Sequence, residues 1–278
     1  MSNIISQVSL LGMGAVFLMC TACATDSSTN AKAGSAVKSD SLKTAIASPH
    51  REAKNVARDV FRHPYETLNF FEVKPDMSVL EITPGQGWYT EILGPYLKDK
   101  GTLYLAVFPA NNKVEYFQKA NQALKAKITE NADAYGKIVF TEFQAGKDFA
   151  PKGSVDRVLT FRNVHNWDEK EKIFKGFYEA LKPGGILGVV DHRAQAHTKD
   201  LKNSGYVKQA DVIRLAEQAG FQFIEASEVN ANAKDTTNHP KGVWTLPPSL
   251  RLGDKDREKY LAIGESDRMT LKFKKVSK

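Results

Sequence analysis

From about residue 48 onward, short apolar runs alternate with longer amphipathic segments. Ser78–Ile82 (SVLEI), Thr102–Val107 (TLYLAV), Ile138–Glu142, Val155–Phe161 (VDRVLTF) and Ile186–Val190 (ILGVV) have the length and β-branched or aromatic content of strands. Two more strands are predicted at Phe221–Val229 and Met269–Val276. Helices are predicted over Trp88–Leu97, Asn111–Ile128 and Val207–Gly220, and over a segment opened by Asp168-Glu169-Lys170-Glu171. In that segment Ile173, Phe174, Phe177, Tyr178 and Leu181 share one face at helical spacing. Pro183-Gly184-Gly185 stops it. Ser48-Pro49 gives a capping hydroxyl and a first-turn proline for a helix running to about Arg62, before Pro64 breaks it. Strand-helix alternation at this spacing predicts a doubly wound α/β domain over residues 48–278, with a mostly parallel sheet covered on both faces.

The first 47 residues follow another pattern. No charged side chain precedes Asp26, and Val8–Cys20 is an apolar run of 13 residues, too short to span a bilayer but suited to a signal-peptide core. It ends in Cys20-Thr21-Ala22-Cys23, which resembles the lipobox of bacterial lipoproteins and makes Cys23 the expected lipidation site at the end of a 1–23 signal segment. Cleavage within Ala22-Cys23-Ala24 by ordinary signal peptidase is the alternative, giving a soluble exported protein. With lipidation, Ala24 and Thr25 after the cysteine favour the outer membrane, so the expected location is the periplasm with a lipid anchor. Residues 24–47 are rich in Ala, Ser, Thr and Lys and are expected to form a flexible tether. Both cysteines lie in the leader, so the domain that follows has no disulfide or thiolate site.

Composition narrows the partners. Apolar residues at 42% and charged residues at 26% are an ordinary globular balance, which excludes wholesale disorder and a multi-span membrane protein. The 39 basic against 32 acidic residues leave +7 in a mixed-sign sequence without long basic runs, so nucleic acid is not an expected partner.

In an open α/β sheet, ligands bind at the carboxyl ends of the strands, so residues just after each strand carry the candidate chemistry. Glu81-Ile82-Thr83-Pro84-Gly85-Gln86-Gly87 follows the first strand, with two glycines that allow close backbone approach to a ligand or make a tight strand-helix turn. Arg162-Asn163-Val164-His165-Asn166-Trp167 follows the fourth strand and Asp191-His192-Arg193 the fifth. These two clusters supply titratable groups for general-base work at one sheet edge. Asp191, His192, His197 and His239 match no metal-ligand spacing, and no metal is expected. The long connection over residues 230–267 is expected to cover the site or to be an inert excursion.

Val79–Gly87 resembles the first motif of class I S-adenosylmethionine-dependent methyltransferases, and Val155-Asp156-Arg157-Val158 and the Asn163–Trp167 element resemble that family's fourth-strand region. Leu181-Lys182-Pro183-Gly184-Gly185 resembles its turn before strand five. The Glu81–Tyr89 variant and Asp191-His192-Arg193 look most like a group of exported methyltransferases. The resemblance implies a seven-stranded sheet with the last strand antiparallel, and S-adenosylmethionine lying across strands one, two and four. It places Glu81, Thr83, Pro84, Gly85 and Gly87 against the amino-acid and ribose part of the cofactor, and Asn163 near the methionine. No carboxylate follows strand two where the family binds the ribose hydroxyls; Phe108 is expected to pack on the adenine instead. His165 and His192 are then the candidate bases with Asp191 orienting, Asn166 and Arg193 hold a polar or anionic acceptor, and Trp167 and Tyr206 wall its pocket. The resemblance thus implies methyl transfer to a small-molecule acceptor in the cell envelope. A non-catalytic binding module on the same fold and a S-adenosylmethionine-independent enzyme are the alternatives.

Overall fold

All seven predicted strands are present in the computed structural model, which describes residues 40–276: β1 (Ser78–Ile82), β2 (Thr102–Val107), β3 (Ile138–Glu142), β4 (Val155–Phe161), β5 (Leu181–His192), β6 (Phe221–Ser227) and β7 (Arg268–Lys275). The signal segment, Cys23 and residues 24–39 of the expected tether lie outside the described residues. The strands form one sheet in the order β3-β2-β1-β4-β5-β7-β6. Pairings from β3 to β5 are parallel, and β7 inserts antiparallel between β5 and β6. This is the doubly wound, seven-stranded mostly parallel arrangement expected from the alternation.

The pleat divides the core. In β1, Val79 points to one face, where it joins Ile92, Leu93 and Leu97 of α5 (Thr90–Leu97) and Leu124 of α6 (Glu115–Glu130). Leu80 and Ile82 point to the other, against Phe174 and Phe177 of α7 (Lys170–Ala180) and Val212 and Leu215 of α8 (Gln209–Gln218). Four short helices at the amino terminus, α1 (Ser41–Ile46), α2 (Ala53–Val56), α3 (Asp59–Arg62) and α4 (Pro64–Phe70), add to the α5 face, and α9 (Arg257–Ile263) interrupts the long connection before β7.

Three boundaries differ from expectation, each for a tertiary reason. The folded domain begins near Asp40, not Ser48: the Asp40 side chain accepts from the Leu42 N–H at 3.1 Å and caps α1, whose Leu42 and Ala45 are buried. The single helix expected over 48–62 is broken, because Arg51 turns back to the Ile46 carbonyl and grips both oxygens of Asp59 at 2.7 Å. Strand β5 starts at Leu181, which pairs with Val155; the register then jumps to Arg157 and Ile186, so the Pro-Gly-Gly turn is a bulge inside the strand.

Leu42→Ala tests the new boundary. Deleting this buried side chain is expected to destabilise the protein by about 2–4 kcal/mol. The thermal midpoint should fall by roughly 5–10 °C. An unchanged midpoint would return residues 41–47 to the tether.

Candidate active site

A cavity of about 590 Å³ opens at the carboxyl ends of β1, β2, β4 and β5, within the range of small-molecule sites. The loop after β1 forms one wall. The Thr83 N–H donates to the Ala106 carbonyl at 2.8 Å, which ties the loop to the end of β2. Thr83, Gly85 and Gly87 all have positive φ (43°, 61° and 85°). A Cβ on Gly85 would meet no atom within 4 Å, whereas one on Gly87 would lie 2.6 Å from Leu124 Cδ1. Gly85 therefore presents bare backbone to the cavity, and Gly87 serves the packing of α6. The Thr83 hydroxyl is buried with no hydrogen-bond partner in the protein.

The opposite wall comes from the exits of β4 and β5. Asn163 lines the cavity, and its Nδ2 donates to the Ile82 carbonyl at 3.0 Å and to Thr160 Oγ1 at 3.2 Å, tying β4 to β1. A single 3-10 turn, Val164–Asn166, then brings His165 beside Asp191. Asp191 is fully buried: its Oδ1 lies 2.9 Å from His165 Nδ1 and accepts from the His192 N–H at 2.7 Å, and its Oδ2 accepts from the His165 N–H at 3.3 Å. With that carboxylate as acceptor, Nδ1 of His165 is a donor and Nε2 is left with its lone pair. The His165 and His192 rings are 5.0 Å apart, and His192 Nδ1 contacts Ser266 Oγ. Burial first, then the nearby His165, Arg162, Arg268 and Arg62, hold His192 well below the usual imidazole pKa, so it stays neutral.

Thr83, Pro84, Gly85, Phe108, Asn163, His165, Asn166, Trp167 and His192 thus line one cavity, with Asp191 directly behind His165. Other expected residues stand elsewhere. Glu81 is turned away and accepts from Thr90 Oγ1 at 2.7 Å, and burial pushes its pKa up to about 7 against the lowering effect of Thr90. Arg193 points outward, pairing with Glu228 at 2.7 Å and Asp267 at 2.9 Å, so it holds no acceptor. Tyr206 is buried behind His192 and donates to Asp235. Phe108 keeps its place in the cavity lining, where one of its faces is stacked on Phe117 with centroids 3.9 Å apart. His197 contacts the Thr236 carbonyl and His239 contacts Asp235; among the described residues the one cluster of metal-ligand types is His165, Asp191 and His192, whose ligand atoms lie within 4.8 Å of one another and are already partly hydrogen-bonded together.

The connection over 230–267 does cover the site: Val243, Trp244, Pro247, Pro248 and Ser249 line the cavity, and the Trp244 ring lies 6.1 Å from His165. A Cβ on Gly242 would fall 2.1 Å from the Ser204 carbonyl oxygen, so only glycine lets this roof sit so close to the loop between β5 and α8. Several lining residues were not singled out from the sequence: Asn55, Arg58, Asn121, Glu265 and Ser266, with Arg162 noted only as a neighbour of Asn163. Arg162 carries the one sequence signal among them, its place immediately after a strand, and the structure holds it at a left-handed φ of 63°.

Residues 80–189 match a family described as a methyltransferase domain. The chain is 26% identical over 156 residues to an S-adenosyl-L-methionine-dependent Diels-Alderase, IccD, of Talaromyces variabilis, covering 49% of this chain and 51% of that protein. It therefore spans about half the length of this curated relative. Among solved structures it resembles the 4+2 cyclase SpnF (TM-score 0.59, 14% identity, 85% of this chain and 92% of that one). It also resembles a SAM-dependent methyltransferase of Aquifex aeolicus (TM-score 0.56, 17% identity, 79% and 93%).

The position of Glu81 gives a pH test. Its pKa is raised from 4.5 to about 7 in the fold, so the folded state retains a proton that the unfolded chain releases, and stability falls as pH rises between these values. Glu81→Gln removes the titration. Its stability relative to wild type should improve by ~2–4 kcal/mol between pH 4.5 and pH 8. A difference that does not vary with pH would show that Glu81 is not held in an apolar setting.

Proposed function

We propose that the chain is a class I S-adenosylmethionine-dependent methyltransferase that methylates a small-molecule acceptor held between His165 and Trp244, a reading supported by the methyltransferase-domain match over residues 80–189 and by the fold. The observation that carries this reading is the His165–Asp191 pair, which opens onto the same cavity as the bare Gly85 backbone. The cavity fits the cofactor: the unpartnered Thr83 hydroxyl and the open space at Gly85 suit its amino-acid and sugar portion. Asn121 stands in for the missing carboxylate after β2. Its Nδ2 is engaged by the Phe108 carbonyl at 2.8 Å, which leaves the amide oxygen to accept from a hydroxyl.

When bound, S-adenosylmethionine supplies an electrophilic methyl on a sulfonium. The chain aligns an acceptor with it, excludes water with the Trp244–Pro248 roof, and takes the acceptor's proton on His165 Nε2 as the new bond forms. Asp191 holds the tautomer and stabilises the resulting imidazolium. His192, kept neutral, adds a polar face without a second charge. Trp167 and Asn166 border the same space.

The apolar Val8–Cys20 run and the Ala22-Cys23-Ala24 segment support export, with Cys23 lipidated and the protein anchored at the periplasmic face of the outer membrane. The Asp191-His192-Arg193 motif supports placement in an exported group. A second reading is suggested by the cyclase names of two similar proteins: a bond-forming reaction in the same cavity that consumes no methyl group.

Calorimetric titration tests the main reading. S-adenosylmethionine and S-adenosylhomocysteine should bind at roughly 1 μM–1 mM, and Gly85→Val should abolish binding by placing a branched side chain in the cavity. With an acceptor in hand, Asp191→Asn should lower kcat by about 10²–10⁴ while leaving S-adenosylhomocysteine affinity unchanged. Turnover without S-adenosylhomocysteine release would favour the second reading. For location, wild type should fractionate with membranes and Cys23→Ser should be released or remain unprocessed; wild type recovered wholly in the soluble periplasm would contradict the anchor.

A further inference from the structure

Four arginines crowd one carboxylate beside the cavity. Glu265 accepts from Arg58 Nε at 2.6 Å, Arg62 Nε at 3.2 Å and Arg268 Nη1 at 3.0 Å. Arg162 lines the cavity close enough for its charge to act on the same carboxylate. Arg62, Arg268 and Glu265 are almost wholly buried, with side-chain exposures of 2%, 4% and 3%. Burial opposes ionisation of Glu265, but Arg62, Arg268, Arg162 and Arg58 outweigh it and hold its pKa far below the ordinary carboxylate value. Burial pushes Arg162 down to about 10.

Four guanidinium groups against one carboxylate leave three positive charges without an anion, and two of the four, on Arg62 and Arg268, are closed off from water, where charge is tolerated only when paired. Arg58 Nη2, Arg62 Nη2 and Arg268 Nε are buried donors with nothing to donate to. Arg58, Arg162 and Glu265 line the cavity itself, next to His192 and Ser266. S-adenosylmethionine would not neutralise this surplus. Its single carboxylate is outnumbered by its own ammonium and sulfonium, so its arrival increases the local positive charge.

Building on the methyl-transfer reading above, we infer that the acceptor is an anion whose carboxylate or phosphate group is seated on Arg58 and Arg162, with its nucleophile turned to His165. Glu265 spreads the arginines and holds them in place; the acceptor supplies the missing negative charge. The donors are forked and planar, which suits a two-oxygen anion better than a neutral carbonyl. An acceptor without such a group would leave the cluster unpaired in the closed complex.

The test uses the purified full chain with S-adenosylhomocysteine, benzoate and inorganic phosphate as probes. With S-adenosylhomocysteine saturating, at least one of the two anions should bind saturably and raise the thermal midpoint. Arg58→Met and Arg162→Met should each weaken that binding about tenfold or more, while changing S-adenosylhomocysteine affinity less than about threefold. Without added anion, Arg162→Met should melt above wild type, since it removes one cation from a cluster with surplus positive charge. Arg162→Gly, which suits the left-handed backbone, should lose anion binding in the same way and so separates charge from misfolding. Neither anion binding to wild type, or binding that the arginine variants do not change, would overturn the inference. So would loss of S-adenosylhomocysteine affinity in Arg162→Met with 5′-methylthioadenosine, which lacks the carboxylate, bound as to wild type: the arginines would then serve the cofactor. Failure of S-adenosylhomocysteine itself to bind is failure of the methyl-transfer reading alone, and the anion titration of the free protein still decides the subsite.

Discussion

A single buried carboxylate sets the geometry of the candidate site. Asp191 sits at the end of β5 with no exposed surface and accepts from the backbone N–H groups of His165 and His192 and from the His165 ring. These bonds pull the turn after β4 onto the end of β5 and fix both histidine rings 5.0 Å apart. Removing such a carboxylate leaves three donors unsatisfied in an apolar setting, a penalty of about 1–3 kcal/mol each. The orientation of His165 and the shape of the cavity wall follow from this one residue.

A second buried carboxylate does the same for the roof. Asp235 accepts from Tyr206 Oη, His239 Nε2 and the N–H groups of Thr237 and Asp267, each within 2.9 Å. Burial works against its charge, but these bonds outweigh burial and keep its pKa below the ordinary value. Tyr206 links this network to the His192 ring, 6.4 Å away, and Arg193 clamps Glu228 to Asp267 nearby. Residues expected to touch an acceptor thus hold the elements that do. Their types were informative, but sequence alone does not distinguish a polar group facing a cavity from one facing a buried partner.

The strands and their order of chemistry were legible because apolar runs of strand length, bounded by Gly, Pro and polar residues, have few other uses. The Gly85 loop and the His165 and His192 clusters were legible for the same reason: they directly follow such runs. Helix α1 was not, since Ser41–Ile46 offers only Leu42, Ala45 and Ile46 as apolar groups and is secured by contacts with residues far along the chain. Nor was the arginine cluster, in which Glu265 meets Arg58 and Arg62 across more than 200 residues of sequence. Such pairings exist only once the sheet brings β4, β5 and β7 beside the amino-terminal helices. The stacking of Phe108 on Phe117 is likewise a consequence of α6 packing that strand periodicity does not encode.

The central claim is that Asp191 holds His165 as a proton acceptor facing the cavity. Histidine-selective ¹⁵N NMR of the purified chain at about pH 8, where an ordinary imidazole is neutral, measures the tautomer directly. The account requires His165 to carry its proton on Nδ1 with Nε2 bare, and Asp191→Asn to shift that population toward the Nε2-protonated form. A wild-type His165 protonated on Nε2, or a tautomer indifferent to Asp191→Asn, would contradict it.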